Sequence, residues 1–135
     1  MTDIPAGFKQ APDMGGYNDT IQPFYYSKED DQIRMGLIVQ DQHCNRAGVC
    51  HGGALVTFLD NVLAMGLSHH IGTMDFRPTI NLTTDFVGAA KKGHWIESRI
   101  EFVHTTVSLG FVAATLVGPN GPVARANGQF KLNRN

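Results

Sequence analysis

The sequence is short of cysteine, of net charge and of long uncharged apolar runs. Cys44 and Cys50 are its only cysteines in 135 residues. Two cysteines so close together read as reduced thiols rather than a disulfide framework. A zinc site would have to recruit His43 and His51, and no second ligand pair follows at a usual spacing. Lys and Arg number 11 against 12 Asp and Glu, giving a formal net charge of −1. The charges are scattered, so the basic footprint of a nucleic-acid binder is absent. A membrane-spanning helix needs a run of about 18 or more apolar residues. The most apolar segment, 54–67, carries Asp60 inside it and no Lys or Arg at its flanks, which argues against a span. The opening "TDIPAGFKQ" has no charged start leading into an apolar core. No secretory leader is therefore expected, and a cytoplasmic protein is.

What is present fits one domain with its own core, since 42% of the residues are apolar and no linker or repeat divides the chain. Residues 1–30 read as an irregular N-terminal segment punctuated by Pro5, Pro12, Gly15, Gly16 and Pro23, with at most a short helix within 18–24. The domain proper then runs from 31 to 135. Ile33, Met35, Leu37 and Val39 alternate as in a half-buried strand. After the loop "DQHCNRAGVCHGG", a helix is expected over 54–70, ended by Gly72. It is apolar around nearly its whole circumference, so it should be buried on most sides.

Four strand-like runs follow. Ile80, Leu82, Thr84 and Phe86 share one face of the first, and Ile96, Ser98, Ile100 and Phe102 one face of the second. "SLGFVAATLVG" is apolar on both faces, as a central strand would be. The last run alternates Arg125, Asn127, Gln129 and Lys131 against Ala124, Ala126, Gly128 and Phe130. The short separators "AAKKG", "TTV" and "PNGP" predict antiparallel neighbours throughout, because a parallel crossover needs about a dozen residues. The expected fold is α+β: a strand, a long helix and a four-strand meander, with the curved antiparallel sheet wrapped around the helix. One sheet cannot cover such a helix completely, and a second subunit could cover the rest.

The chemistry gathers at the helix start. Its first N–H groups lack internal partners, and none of Cys50, His51, Gly52 and Gly53 is a usual side-chain cap. Two glycines also let a ligand approach the backbone closely. An open helix end of this kind can donate to an anion or a polarised carbonyl oxygen. Asp60 lies about two turns further on, with Val56, Thr57, Leu63 and Ala64 at the i±3 and i±4 positions and no cation among them. A carboxylate buried without a partner is costly, so it is paired, neutralised or functional. His43, Asn45 and His51 gather in the loop and could steer a substrate or hold the loop itself.

"HCNRAGVCHGGALVTFLDNVLAMG" resembles the signature of PaaI-like acyl-CoA thioesterases, the phenylacetate-degradation branch of the hotdog fold. The pattern H-x-N-x-x-G-x-x-H-G-G is met by His43, Asn45, Gly48, His51, Gly52 and Gly53, with the acid, Asp60, nine residues after His51. The resemblance spans the chain from about residue 30 onward. It implies a hotdog fold and hydrolysis of acyl-CoA. Asp60 would be nucleophile or general base, and the Gly52 N–H would polarise the thioester carbonyl. Asn45 would hold water or substrate, His51 would shape the site, and Thr79 would support the water. It implies no cofactor, since CoA belongs to the substrate.

The resemblance further implies a homodimer, pairing into a homotetramer, with Asn45, His51 and Gly52 of one chain facing Asp60 and Thr79 of the other. Gly53, Val87, Gly88 and Lys91 would line the substrate path. A usual Phe-x-x-Pro-Ala segment is replaced here by "DFVGAA", which touches the pantetheine path and not Asp60. Lys91 and Lys92 follow it, where CoA phosphates need positive charge. Two other readings stand beside this one: a hotdog protein that binds acyl-CoA or a small aromatic ligand without hydrolysis, and a hotdog dehydratase or hydratase.

Overall fold

The computed structural model describes residues 3–133. Seven strands and one long helix follow the order β1 (Lys9–Gln10), β2 (Tyr25–Ser27), β3 (Arg34–Ile38), α1 (Gly52–Ile71), β4 (Thr79–Phe86), β5 (Trp95–Thr105), β6 (Leu109–Gly118) and β7 (Gly121–Lys131). One antiparallel sheet holds them in the order β1-β2-β3-β5-β6-β7-β4. The helix lies against its inner face, so the architecture is the hotdog fold expected from the sequence. No helix among the described residues is long and apolar enough to cross a membrane.

Helix and sheet fit because the sheet makes room. Leu55, Phe58, Leu59, Val62, Leu63 and Leu67 are buried on the helix and meet Val112, Ala114, Leu116, Ala124, Ala126 and Phe130 from the sheet. Gly110 and Gly128 lie where the helix comes closest. A Cβ on Gly110 would stand 2.8 Å from Leu67, and one on Gly128 2.8 Å from Leu63. Both strands thus leave side-chain volume out so that two leucines can seat at native packing density. Val56, Ala64 and Met65 stay half-buried, the stripe the sheet leaves uncovered.

Three expectations about the strands change. The meander has three strands, not four: β4 pairs with β7, not with β5. The connector 87–94 is a crossover rather than a hairpin. The N–H groups of Val87 and Gly88 donate to the Val123 carbonyl, at 2.9 and 3.0 Å, and Cys50 N–H donates to the Ala90 carbonyl at 2.7 Å. Those bonds carry the connector over the end of the sheet. Phe102 does not share a face with Ile96 and Ser98. A bulge between Ile100 and Phe102 shifts the register by one residue and turns Phe102 outward, where it is 55% exposed. The N-terminal segment is more ordered than its punctuation implies: β1 and β2 extend the sheet beyond β3. Between them a 3₁₀ turn at Gly16–Thr20 crosses the helix.

Candidate active site

The helix begins two residues earlier than expected, at Gly52, and it has a side-chain cap after all. His51 is the N-cap residue, and its Nδ1 accepts the Gly53 N–H at 2.8 Å. The Leu55 N–H reaches the His51 carbonyl at 3.0 Å. Histidine is an uncommon cap, and residue-type preference carries no sign of it. The consequence is selective. The Gly53 N–H is spent inside the protein, whereas those of Gly52 and Ala54 have no hydrogen-bond partner among the described residues. The Phe86 ring covers one side of Gly52, 3.3 Å from where a Cβ would stand.

Asn45 has turned one end of its amide to local use. Its Oδ1 accepts the N–H of Ala47 at 2.9 Å and of Val49 at 3.4 Å, closing the loop between the two cysteines. This fixes the amide orientation and leaves Nδ2, a donor, as the group it can offer outward. His43 is buried, and both its ring nitrogens are occupied. Nδ1 accepts the Gln40 N–H at 3.0 Å, so the proton sits on Nε2, which donates to the Ile21 carbonyl. His43 is thus a brace between the loop and the N-terminal segment.

The thiols Cys44 and Cys50 are free and face each other across an antiparallel bridge. Burial, and secondarily the neighbouring Cys44, pushes the Cys50 thiol up to about 12. Such a thiol stays protonated and is a poor nucleophile.

Asp60 and Thr79 come together in one chain. The Thr79 hydroxyl, on the first residue of β4, donates to Asp60 Oδ1 at 2.7 Å. Asp60 Oδ2 has no partner among the described residues, and none of their ion pairs involves Asp60. Thr57, the nearest candidate partner on the helix, bonds the Gly53 carbonyl instead. Asp60 and Thr79 open onto a cleft of about 660 Å3 whose walls include Ala64, Met65, Met74 and Phe76. The acid is therefore held by one oxygen and left free at the other, beside an open cleft lined by both apolar and polar groups.

The remaining candidates sit near the helix start. Lys92 is tied to Asp41 at 2.8 Å, and that contact holds its ammonium above its ordinary pKa. Lys91 bridges to Val49 through the backbone, which places it beside the Asn45 loop, and its ammonium has no partner among the described residues. Val87 is 57% exposed, and Gly88 packs against the Pro122 carbonyl.

Two groups of residues result: Asn45, His51, Gly52 and Lys91 at one end of the helix, Asp60 and Thr79 along its flank. Eight residues at 1.5 Å each put about 12 Å between Gly52 and Asp60. No sequence signal points to Asn18, which reaches Asn61 beside Asp60 through a reciprocal amide pair at 3.1 and 3.0 Å.

Comparison with known proteins bears on the family and the fold. The family model described as "Thioesterase superfamily" matches residues 47–124. A protein of Pseudomonas aeruginosa, strain PAO1, named "Putative esterase PA0474", is 30% identical over 138 residues, 98% of this chain and 99% of its own length. A hypothetical thioesterase protein of Streptococcus pneumoniae TIGR4, solved with coenzyme A, superposes with a TM-score of 0.72 at 17% identity, covering 86% of this chain and 90% of that one. A mutant form of the phenylacetic acid degradation protein PaaI from Thermus thermophilus does so with a TM-score of 0.66 at 18% identity, covering 75% and 84%.

Proposed function

The chain belongs to the thioesterase superfamily, and we propose that it hydrolyses an aryl- or fatty-acyl-CoA thioester to the free acid and CoA, at sites shared by two copies of the chain. One observation carries this reading: a free acid oxygen on Asp60 and a free N–H on Gly52, about 12 Å apart on a single helix. An attacking group and an oxyanion donor must each lie about 3 Å from the same carbonyl. One chain cannot meet that condition, but two chains related by a two-fold axis can. The outer edge of β4 has no partner strand among the described residues, and Ile80, Phe86 and Val87 lie exposed along it and just beyond it. A second copy would bring its helix start to Asp60 there, and two such dimers would pair into a tetramer.

In this arrangement the carbonyl oxygen accepts from the partner copy's Gly52 N–H, with the Asn45 amide donating from the same loop. Asp60 Oδ2 takes a proton from water as the water oxygen adds to the carbonyl carbon. The tetrahedral oxyanion then expels the CoA thiolate, which recovers the proton from Asp60. If Asp60 attacks directly, Oδ2 bonds to the acyl carbon, the thiolate leaves, and water cleaves the resulting anhydride. Either route consumes only water and needs no cofactor. Lys91 supplies charge for the CoA phosphates, and Val87 and Gly88 border the pantetheine path. The complex of the Streptococcus pneumoniae protein with coenzyme A supports CoA as the leaving group.

The test is thiol release from a panel of aryl- and fatty-acyl-CoAs by wild type and Asp60→Asn. Removing a general base costs about 10²–10⁴-fold, and the variant should keep its fold. A variant within threefold of wild type overturns the role of Asp60. Tight acyl-CoA binding with no hydrolysis across the panel would make this a binding protein.

A further inference from the structure

The N-terminal segment does more than extend the sheet. Its ends are fixed: the Ala11 N–H donates to the Phe24 carbonyl at 2.8 Å, and the Ile21 carbonyl accepts from the buried His43. Between those anchors, residues 12–20 arch over the helix as a strap. Asp19 Oδ1 gathers the strap into one unit by accepting from the N–H groups of Met14 and Gly15, at 3.2 and 3.1 Å, and from Gln22 Nε2 at 3.2 Å. Asn18 then ties the strap to the helix. Its amide makes both bonds to the Asn61 amide and also donates to the Met14 sulfur at 3.7 Å. Asn61 is itself held by the Thr57 carbonyl at 2.9 Å. Successive helix residues point about 100° apart, so Asp60 faces Thr79 while Asn61 faces the strap. The same cleft lies between them, and Met14 and Asn18 help line it.

We propose that this strap is the wall that selects the acyl group, with Met14 as its contact residue and the Asn18–Asn61 amide pair as the latch that positions it. The inference rests on the reading of Asp60 as the reacting acid. The chemistry of the chamber names the class it takes. Along the cleft's apolar side, thioethers from Met14, Met65 and Met74 and the exposed Phe76 ring offer adaptable, polarisable contact to an apolar body, while Asn18, Asn61 and Ser68 also line it. The one cation among the described residues that line the cleft, Arg77, is already spent on Ser68 Oγ, the carbonyls of Thr73 and Asp75, and Thr73 Oγ1. A second carboxylate at the far end of the acyl group would find no free cation there, and Asp75 also lines the cleft. Uncharged apolar acyl groups are selected, and the position of Met14 limits their length.

The experiment measures kcat/KM for straight-chain acyl-CoAs from acetyl to dodecanoyl, together with a dicarboxylic acyl-CoA, in wild type, Met14→Ala, Met14→Trp, Asn61→Ala and Asp60→Asn. Met14 is 36% exposed on a surface loop, so its variants should fold. Relative to wild type, Met14→Ala should raise the dodecanoyl-to-acetyl ratio about tenfold and Met14→Trp should lower it. Asn61→Ala should flatten the length preference, which a merely stabilising role would leave alone. The dicarboxylic substrate should be the poorest at matched length. Hydrolysis that requires Asp60 but keeps every ratio within twofold in the Met14 variants overturns the strap inference alone. No hydrolysis, or an Asp60→Asn variant as active as wild type, overturns the reading of the site and this inference with it.

Discussion

Gly52→Pro isolates a single hydrogen. Gly52 is the first residue of the helix and follows His51 at φ −63° and ψ 139°. That extended geometry is what a residue before proline prefers. Proline is also over-represented at the first helical position, because its fixed φ suits the helix and the missing N–H had no helical partner to lose. The Gly52 N–H bonds nothing among the described residues, so the substitution breaks no protein hydrogen bond. Rigidifying the unfolded chain is worth about 0.4–1 kcal/mol. Against this, the new Cβ meets the Phe86 ring at 3.3 Å, and that ring, 54% exposed, can move outward. Stability should therefore change by about 1 kcal/mol or less, a shift of a few degrees in Tm.

Activity should change far more. Removing one oxyanion donor costs about 10²–10³ in kcat, or about 2.7–4 kcal/mol. The assay is thiol release at saturating acyl-CoA, with thermal unfolding followed by far-UV circular dichroism on the same preparations. Gly52→Ala is the control: it adds the same Cβ beside Phe86 and keeps the N–H. It should retain activity to within a few-fold. A folded Gly52→Pro protein whose kcat stays within threefold of wild type refutes the oxyanion role. Equal losses in the alanine and proline variants would trace the defect to Phe86 and refute the argument as well.

Two further outcomes follow from the same geometry. Thr79→Ala removes the hydroxyl that holds Asp60 Oδ1. A hydrogen bond to a charged group is worth about 1.5–3 kcal/mol, so kcat should fall about 10–100-fold while CoA affinity, followed by calorimetry, holds and Thr79→Ser restores most of the rate. Mixing inactive Asp60→Asn with inactive Gly52→Pro, after reversible dissociation, should regenerate activity, because a mixed dimer carries one intact site; a mixture as inactive as its components rules out a shared site.

The helix and the last two strands were legible because their patterns are long. The helix was expected over 54–70 and spans Gly52–Ile71. In β7, Ala124, Ala126, Gly128 and Phe130 are buried, as the alternation requires. What stayed hidden has a physical cause in each case. The place of β4 could not be read because connector length bounds a crossover only loosely, and the bonds that carry residues 87–94 to Val123 and Cys50 are backbone bonds without a side-chain signal. The bulge at Phe102 inserts a residue with no glycine or proline to mark it. β1 and β2 have two and three residues, too short for any period. Asp60 and Thr79 were legible through their place in a motif and a strand, whereas Asn18 and Asn61 are 43 positions apart and carry no local pattern.

One helix carries both halves of the proposed chemistry, and packing is what orients them. Leu63 and Leu67 seat over Gly128 and Gly110, which fixes how far the helix sinks into the sheet and how it is rotated about its axis. That rotation turns Asp60 toward the outermost strand, β4, where the hydroxyl of its first residue is within reach at 2.7 Å. It also leaves Ala64 and Met65 along the same flank as a floor for an apolar group. The opposite demand falls on the helix start, which must stay ordered while one N–H remains free. His51 meets that demand by capping Gly53 and not Gly52. A cap side chain bonds the second or third N–H of a helix and not the first. The imidazole, bonded through one fixed nitrogen, satisfies one donor and leaves its neighbour open. The sheet's missing side chains thus turn Asp60 toward Thr79, the cap leaves the Gly52 N–H open, and the proposed chemistry, at that separation, is the reason for a second chain.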